Sequence, residues 1–133
     1  YSFLCIRGEK VWLMMEEMQK GKEAIQANGF IRTFCIMGGE PLADNNCTEV
    51  NHLIKRIKQD IPHLTIWLWS GYEYKDISKT QRTSINEILH NIDAIVTGPF
   101  IQSKRDITLK FRGSSNQEIW IKNEFGVFEK QEN

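Results

Sequence analysis

Phe34-Cys35-Ile36-Met37-Gly38-Gly39-Glu40-Pro41-Leu42 is the stretch that decides how the chain is read. The apolar run from Ile31 to Met37 predicts a buried strand. It ends on two glycines, an acid and a proline. Backbone without Cβ turns sharply or lets a ligand come close. Pro41 cannot extend a central strand, and it biases Glu40 toward extended backbone. A carboxylate at the carboxyl end of a buried strand, beside bare backbone, stands where α/β proteins bind ligands. On local grounds alone the same residues also describe a Gly-Gly turn with a solvated glutamate.

Working outward, the pattern repeats. Ser2 to Ile6 reads as a short strand, and Lys10 to Ala27 as a helix with Val11, Met14, Met15 and Met18 as core filler. After the Gly-Gly turn, Asp44-Asn45-Asn46 offers N-caps for a helix over Thr48 to Gln59, with Val50, Leu53, Ile54 and Ile57 as its buried stripe. Leu64 to Trp69 is a second apolar strand, stopped by Ser70-Gly71-Tyr72. A helix over Thr83 to His90 and a strand over Asp93 to Val96 follow, and Thr97-Gly98-Pro99 breaks the strand. Alternating strands and helices predict an α/β fold with a mostly parallel sheet. Gly38-Gly39, Gly71 and Gly98 then lie along one edge of that sheet. The tail differs. Thr108 to Phe111 reads as a short strand, Arg112 to Gln117 as a polar loop, and Glu118 to Lys122 with Val127 to Glu129 as a closing hairpin.

The totals fit one domain spanning residues 1–133. Apolar residues make up 41%, enough for a core, and 17 basic residues balance 17 acidic ones. The zero net charge argues against a nucleic-acid partner, whose phosphates require a basic excess. No run approaches the ~20 residues of a membrane span. Tyr1-Ser2-Phe3-Leu4 has neither a starting Met nor a charged leader, so a fragment or processed form is expected. Cys5, Cys35 and Cys47 form no CxxC pair, and the default is a reduced, cytoplasmic setting. His52, His63 and His90 show no metal-ligand spacing.

Nucleophile elbow, P-loop and dinucleotide fingerprints are all absent. The acids worth naming are Glu40 and Asp93, although Asp93 equally reads as a residue that caps or starts a strand, and Ser114-Ser115-Asn116 as a plain turn. Donors expected near the same edge are Ser70, Tyr72, Thr97, Arg112, Ser114, Ser115, Asn116 and Gln117. A carboxylate beside backbone polar groups suits a ligand ammonium.

Met37 to Leu42, Ile66 to Tyr72, Asp93 to Ile101, Arg105-Asp106 and Leu109 to Gln117 occur in that order. In this combination the chain resembles the activating protein of the anaerobic (class III) ribonucleoside-triphosphate reductase, a small radical S-adenosylmethionine enzyme. The likeness runs from about Ile31 to Ile121. It implies a partial (β/α) barrel of the radical S-adenosylmethionine type, here truncated at its N-terminus and closed by a C-terminal hairpin. It implies a [4Fe-4S] cluster on a CxxxCxxC loop after the first strand, which cleaves S-adenosylmethionine reductively. The resulting 5′-deoxyadenosyl radical takes a hydrogen from a glycine of the reductase, the implied partner. Gly38, Gly39 and Glu40 match the segment that holds the methionyl amino group, and Ser70 and Asn116 are assigned to the same cofactor site.

The cluster motif itself is not in this sequence. Cys5 corresponds to its last cysteine, because Trp12 follows at close to the family's spacing; Cys5 is then at most one of three ligands. Ser2 stands where a second cysteine is required, Thr97 where an Asp is expected, and Glu118 where an Arg is expected. Three thiolates hold such a cluster in the usual way, so the chain alone is expected to be inactive and no catalytic residue is assigned. The alternatives are a fragment of an iron–sulfur oxidoreductase, or a non-catalytic binding module on a degenerate scaffold. Loss of an early barrel element exposes a sheet edge, for which self-association is expected.

Overall fold

Thr65 to Trp69 shows why this sheet forms. Ile66 and Leu68 are buried against the helices, while Trp67 and Trp69 are half-buried on the opposite face. That is the two-residue period of a strand with apolar residues on both sides. The computed structural model describes residues 3–7, 33–37 and 39–132, the first group as backbone only. Its strands are β1 (Phe3–Arg7), β2 (Thr33–Met37), β3 (Thr65–Trp69), β4 (Ala94–Thr97), β5 (Glu118–Lys122) and β6 (Phe128–Lys130). Its helices are α1 (Cys47–Asp60), α2 (Tyr74–Ser78) and α3 (Thr83–Asn91), with a 3-10 turn at Gln102–Lys104.

The strands lie side by side in chain order, β1 to β6. β1 to β4 are mutually parallel, with Cys5 opposite Cys35, Phe34 opposite Ile66, and Leu68 opposite Ile95. β5 runs antiparallel to β4 and β6 antiparallel to β5, which gives the expected C-terminal hairpin. Asn123 closes that hairpin, its side-chain carbonyl accepting from the backbone N–H groups of Phe125 and Val127. The fold is thus α/β with a mixed, mostly parallel sheet, open along its strand order among the described residues.

One core joins the helices to one face of the sheet. Val50, Leu53, Ile54 and Ile57 of α1 and Ile85 and Ile88 of α3 pack on Phe34, Ile36, Ile66, Leu68 and Ile95. The stripe read from sequence is the buried one, because apolar residues at helical spacing share a face. Lys55, Arg56 and Lys58 form the solvated face, where they pair with Glu87, Asp60 and Asp93.

Several expectations shift. Asn46 occupies the N-cap of α1, but its side chain makes no cap bond; it donates instead to the Glu40 carbonyl at 3.0 Å. Thr108 to Phe111 is not a strand. The Thr108 backbone N–H and hydroxyl both turn onto Asp106 Oδ1, at 2.9 and 2.5 Å, and this local turn competes with any ladder. Phe111 adopts φ 65 there, and its ring lies 4.8 Å from that of Trp67. The short helix α2 and the 3-10 turn are additions to the sequence reading. The helix expected over Lys10 to Ala27 lies outside the described residues.

Candidate functional site

The parallel strands β2, β3 and β4 end on the same edge, and the chain enters β5 there because β5 runs the other way. Four loops therefore meet along one edge. They follow Met37, Trp69 and Thr97, and precede Glu118. Gly39, at φ 56, makes the first turn with a backbone that side chains rarely adopt. It delivers Glu40, half-buried, toward the loop after β3.

The Glu40 carboxylate is held by three donors. Its Oε2 accepts from the Leu42 backbone N–H at 3.0 Å and from the Ser70 hydroxyl at 2.9 Å. Its Oε1 accepts from the Gly71 backbone N–H at 2.7 Å. Ser70 is buried, and its hydroxyl oxygen in turn accepts from the Tyr72 backbone N–H at 3.1 Å. The Tyr72 carbonyl accepts from Gly98 N–H at 2.9 Å, which carries the connection to the loop after β4. Among the described residues no lysine, arginine or histidine forms an ion pair with Glu40. Burial pushes the Tyr72 phenol above its usual pKa, and the negative charges of Glu40, Asp44 and Cys47 push it further the same way.

The loop before β5 is bonded within itself and to the loop after β4. Asn116 Nδ2 donates to the Pro99 carbonyl at 2.8 Å, and its Oδ1 accepts from the buried Ser114 hydroxyl at 2.6 Å. Gln117 donates to the Gly98 carbonyl at 3.0 Å and accepts from Gly113 and Ser114 N–H groups. Arg112 donates to the Gln117 carbonyl at 2.9 Å. Gly98, at φ 102, lets this loop press close: a Cβ there would stand 3.5 Å from the Gln117 Cα.

Of the residues expected at the site, Gly39, Glu40, Ser70 and Asn116 reach this edge. Glu40 and Ser70 touch directly, whereas Asn116 bonds Pro99 and Ser114 instead. Gly38 lies outside the described residues. Asp93 is at the other end of the sheet. It precedes β4, accepts from the Ile66 N–H at 2.8 Å and faces Lys58 at 3.8 Å, so it joins strands at the amino edge. Thr97 is fully buried within β4, and its hydroxyl has no partner among the described residues.

A [4Fe-4S] cluster requires thiolates that converge. The described thiols do not fit it. Cys35 lies buried within β2, and Cys47 is buried at the start of α1, where Arg82 reaches its Sγ at 3.2 Å. Among the described residues no three His, Cys, Asp or Glu side chains gather as a metal site. Cys5 is placed by backbone alone. Among the same residues no helix is long and apolar enough to cross a membrane.

The sequence profile of the 4Fe-4S single cluster domain matches residues 6–120. The chain belongs to this family. Among its curated relatives, the anaerobic ribonucleoside-triphosphate reductase-activating protein of Vibrio cholerae is 38% identical over 88 residues, which cover 66% of this chain and 54% of the relative. The protein of the same name from Haemophilus influenzae is 37% identical over 84 residues, covering 63% and 52%. That of enterobacteria phage T4 is 32% identical over 94 residues, covering 71% and 56%. This 4Fe-4S single cluster domain chain spans about half the length of the curated relatives it matches. The resemblance read from its motifs is the one these relatives carry in their names. No solved structure matches the chain at a significant level.

Two contributors escaped the sequence. The Gly71 N–H is a backbone group, visible only as part of a small-residue turn. Asn46 reads as a helix cap because its position fits one, and nothing local announces that Glu40 competes for it.

Proposed function

We propose that this stretch is the S-adenosylmethionine-binding part of a reductase-activating protein, with Glu40 receiving the methionyl ammonium. One observation carries the reading. A half-buried carboxylate is held in place by three donors and, among the described residues, has no cation of its own. An external ammonium would complete it by a charge-assisted bond. Gly39 supplies bare backbone beside it, Gly38 belongs to the same segment, Ser70 holds the carboxylate from behind, and Asn116 stands on the loop before β5 at the same edge.

On this reading the four parallel strands are the arc of a partial (β/α) barrel of the radical S-adenosylmethionine type, and residues 1–133 form one domain. The names of the relatives support the anaerobic reductase as macromolecular partner, and the matched family supports a [4Fe-4S] cluster in the full-length proteins. No chemical step is assigned to a cluster here, since the described thiols do not fit one. We read the isolated chain as inactive. Buried Cys35 and Cys47 also favour a second reading, a non-catalytic binding module on the same scaffold. The odd number of cysteines, with no CxxC pair, supports a reducing, cytoplasmic setting.

Calorimetric titration of S-adenosylmethionine tests the seat. Glu40→Gln is expected to weaken binding about tenfold or more, the cost of losing a charged hydrogen-bond partner. An unchanged affinity removes the role. Anaerobic reconstitution with iron and sulfide tests the rest: the chain is expected to gain no cluster absorbance. A bound cluster that cleaves S-adenosylmethionine on reduction would overturn both the inactivity and the module reading.

A further inference from the structure

The two oxygens of Glu40 are not used equally. Oε2 accepts two hydrogen bonds, from Leu42 N–H and the Ser70 hydroxyl. Oε1 accepts one, from Gly71 N–H. A carboxylate offers about four acceptor positions, so among the described residues the open one is on Oε1. The Ser70 hydroxyl is itself fixed. Its oxygen already accepts from Tyr72 N–H, and its own backbone N–H donates to the Val96 carbonyl at 2.9 Å. The one hydroxyl hydrogen is then left to donate to Glu40. Ser70 is 4% exposed, which leaves little of it for a ligand to touch.

We propose that Ser70 is a positioning residue: it locks the Glu40 carboxylate in the rotation that presents Oε1 to a primary ammonium, and it acts through Glu40 without touching the ligand. The inference rests on the reading of Glu40 as an ammonium seat. It adds a source of specificity. A locked carboxylate discriminates between a ligand with an ammonium and the same ligand without one, because its open acceptor position is preorganised.

The test compares two probes, S-adenosylmethionine and its desamino analogue, in which hydrogen replaces the methionyl ammonium. The readout is the ratio of their affinities, which general loosening of the loop would not change. Ser70→Ala is expected to lower that ratio about tenfold, while Ser70→Thr, which keeps the hydroxyl, restores most of it. In a Glu40→Gln background, Ser70→Ala should lower the ratio no further. If Ser70→Ala does not fold, Ser70→Cys, of similar size but a weak donor, is expected to lose the same selectivity. Equal weakening of both probes, or an unchanged ratio, overturns the positioning role. The two proposals separate cleanly. If Glu40→Gln leaves the ratio unchanged, the ammonium seat itself fails; if it lowers the ratio but Ser70→Ala does not, only the positioning fails.

Discussion

The two edges of the sheet each hold a carboxylate that accepts backbone N–H bonds, and the two are finished differently. At the amino edge, Asp93 accepts from Ile66 N–H and has Lys58 at 3.8 Å. Nearby, Lys122 donates to the carbonyls of Leu89 and His90, completing the end of α3. Charge there is answered within the chain. At the carboxyl edge, Glu40 accepts from three donors, all neutral. The difference teaches how to tell a brace from a candidate seat. Hydrogen bonds orient both acids, but among the described residues only Asp93 has a cation beside it.

The comparison breaks most directly at Asp93. Asp93→Ala leaves the Ile66 N–H without its acceptor, and a loss of about 1–3 kcal/mol in stability is expected from urea unfolding. Probe selectivity at Glu40 should not change; a change would mean that the two edges are one coupled network. A somewhat smaller effect is expected at Gly98. Its φ of 102 disfavours any side chain, although a Cβ would meet the Gln117 backbone only at ordinary contact distance. Gly98→Ala should cost about 1–2 kcal/mol in the same assay, and an unaltered midpoint would show that the loops after β4 and before β5 are loosely joined.

The smallest effect belongs to the helix layer, where Glu87 serves as a control that is neither brace nor seat. The Asn51 side chain donates to Glu87, and Lys55 does so at 3.1 Å; in that order they hold the Glu87 pKa below its ordinary 4.5. A lowered folded-state pKa means stability that is fully present above pH 4.5 and is lost as pH falls through the folded value. Glu87→Gln should flatten the acid limb of stability in that window and leave the neutral range nearly unchanged. An acid limb that stays as steep as before would assign it to other carboxylates.

Much of this was legible in the sequence, and the reasons are physical. Strands β2, β3 and β4 announce themselves because apolar runs stop at glycine turns, and the α1 stripe because its apolar residues share one helical face. The placement of Glu40 was legible for the same reason, being an acid placed on bare backbone at a strand's carboxyl end. Asp93 could be read either as a site acid or as the residue that merely starts a strand, and its place just before β4 fits the second, because sequence gives composition near a strand and not which end an acid serves. The Thr108 to Phe111 segment looked like a strand by residue type, yet the Asp106 side chain captured its donors first. What stayed hidden is contact between distant loops. Ser70 lies 30 positions from Glu40, and only the parallel register of β2 and β3 brings them together.

That register has a mechanical consequence. Gly98, Tyr72, Ser70 and Glu40 are linked in series, each bond ending where the next begins. The Gly71 N–H bond to Glu40 and the Ser70 N–H bond to Val96 run beside them, so the three loops are tied by more than one path. The Tyr72 to Ser70 bond, at 3.1 Å, is the longest of these links. The turns at this edge are thus bonded to one another from β2 to β4, and a cation drawn to Glu40 would pull on an acid whose bonds reach backbone two strands away.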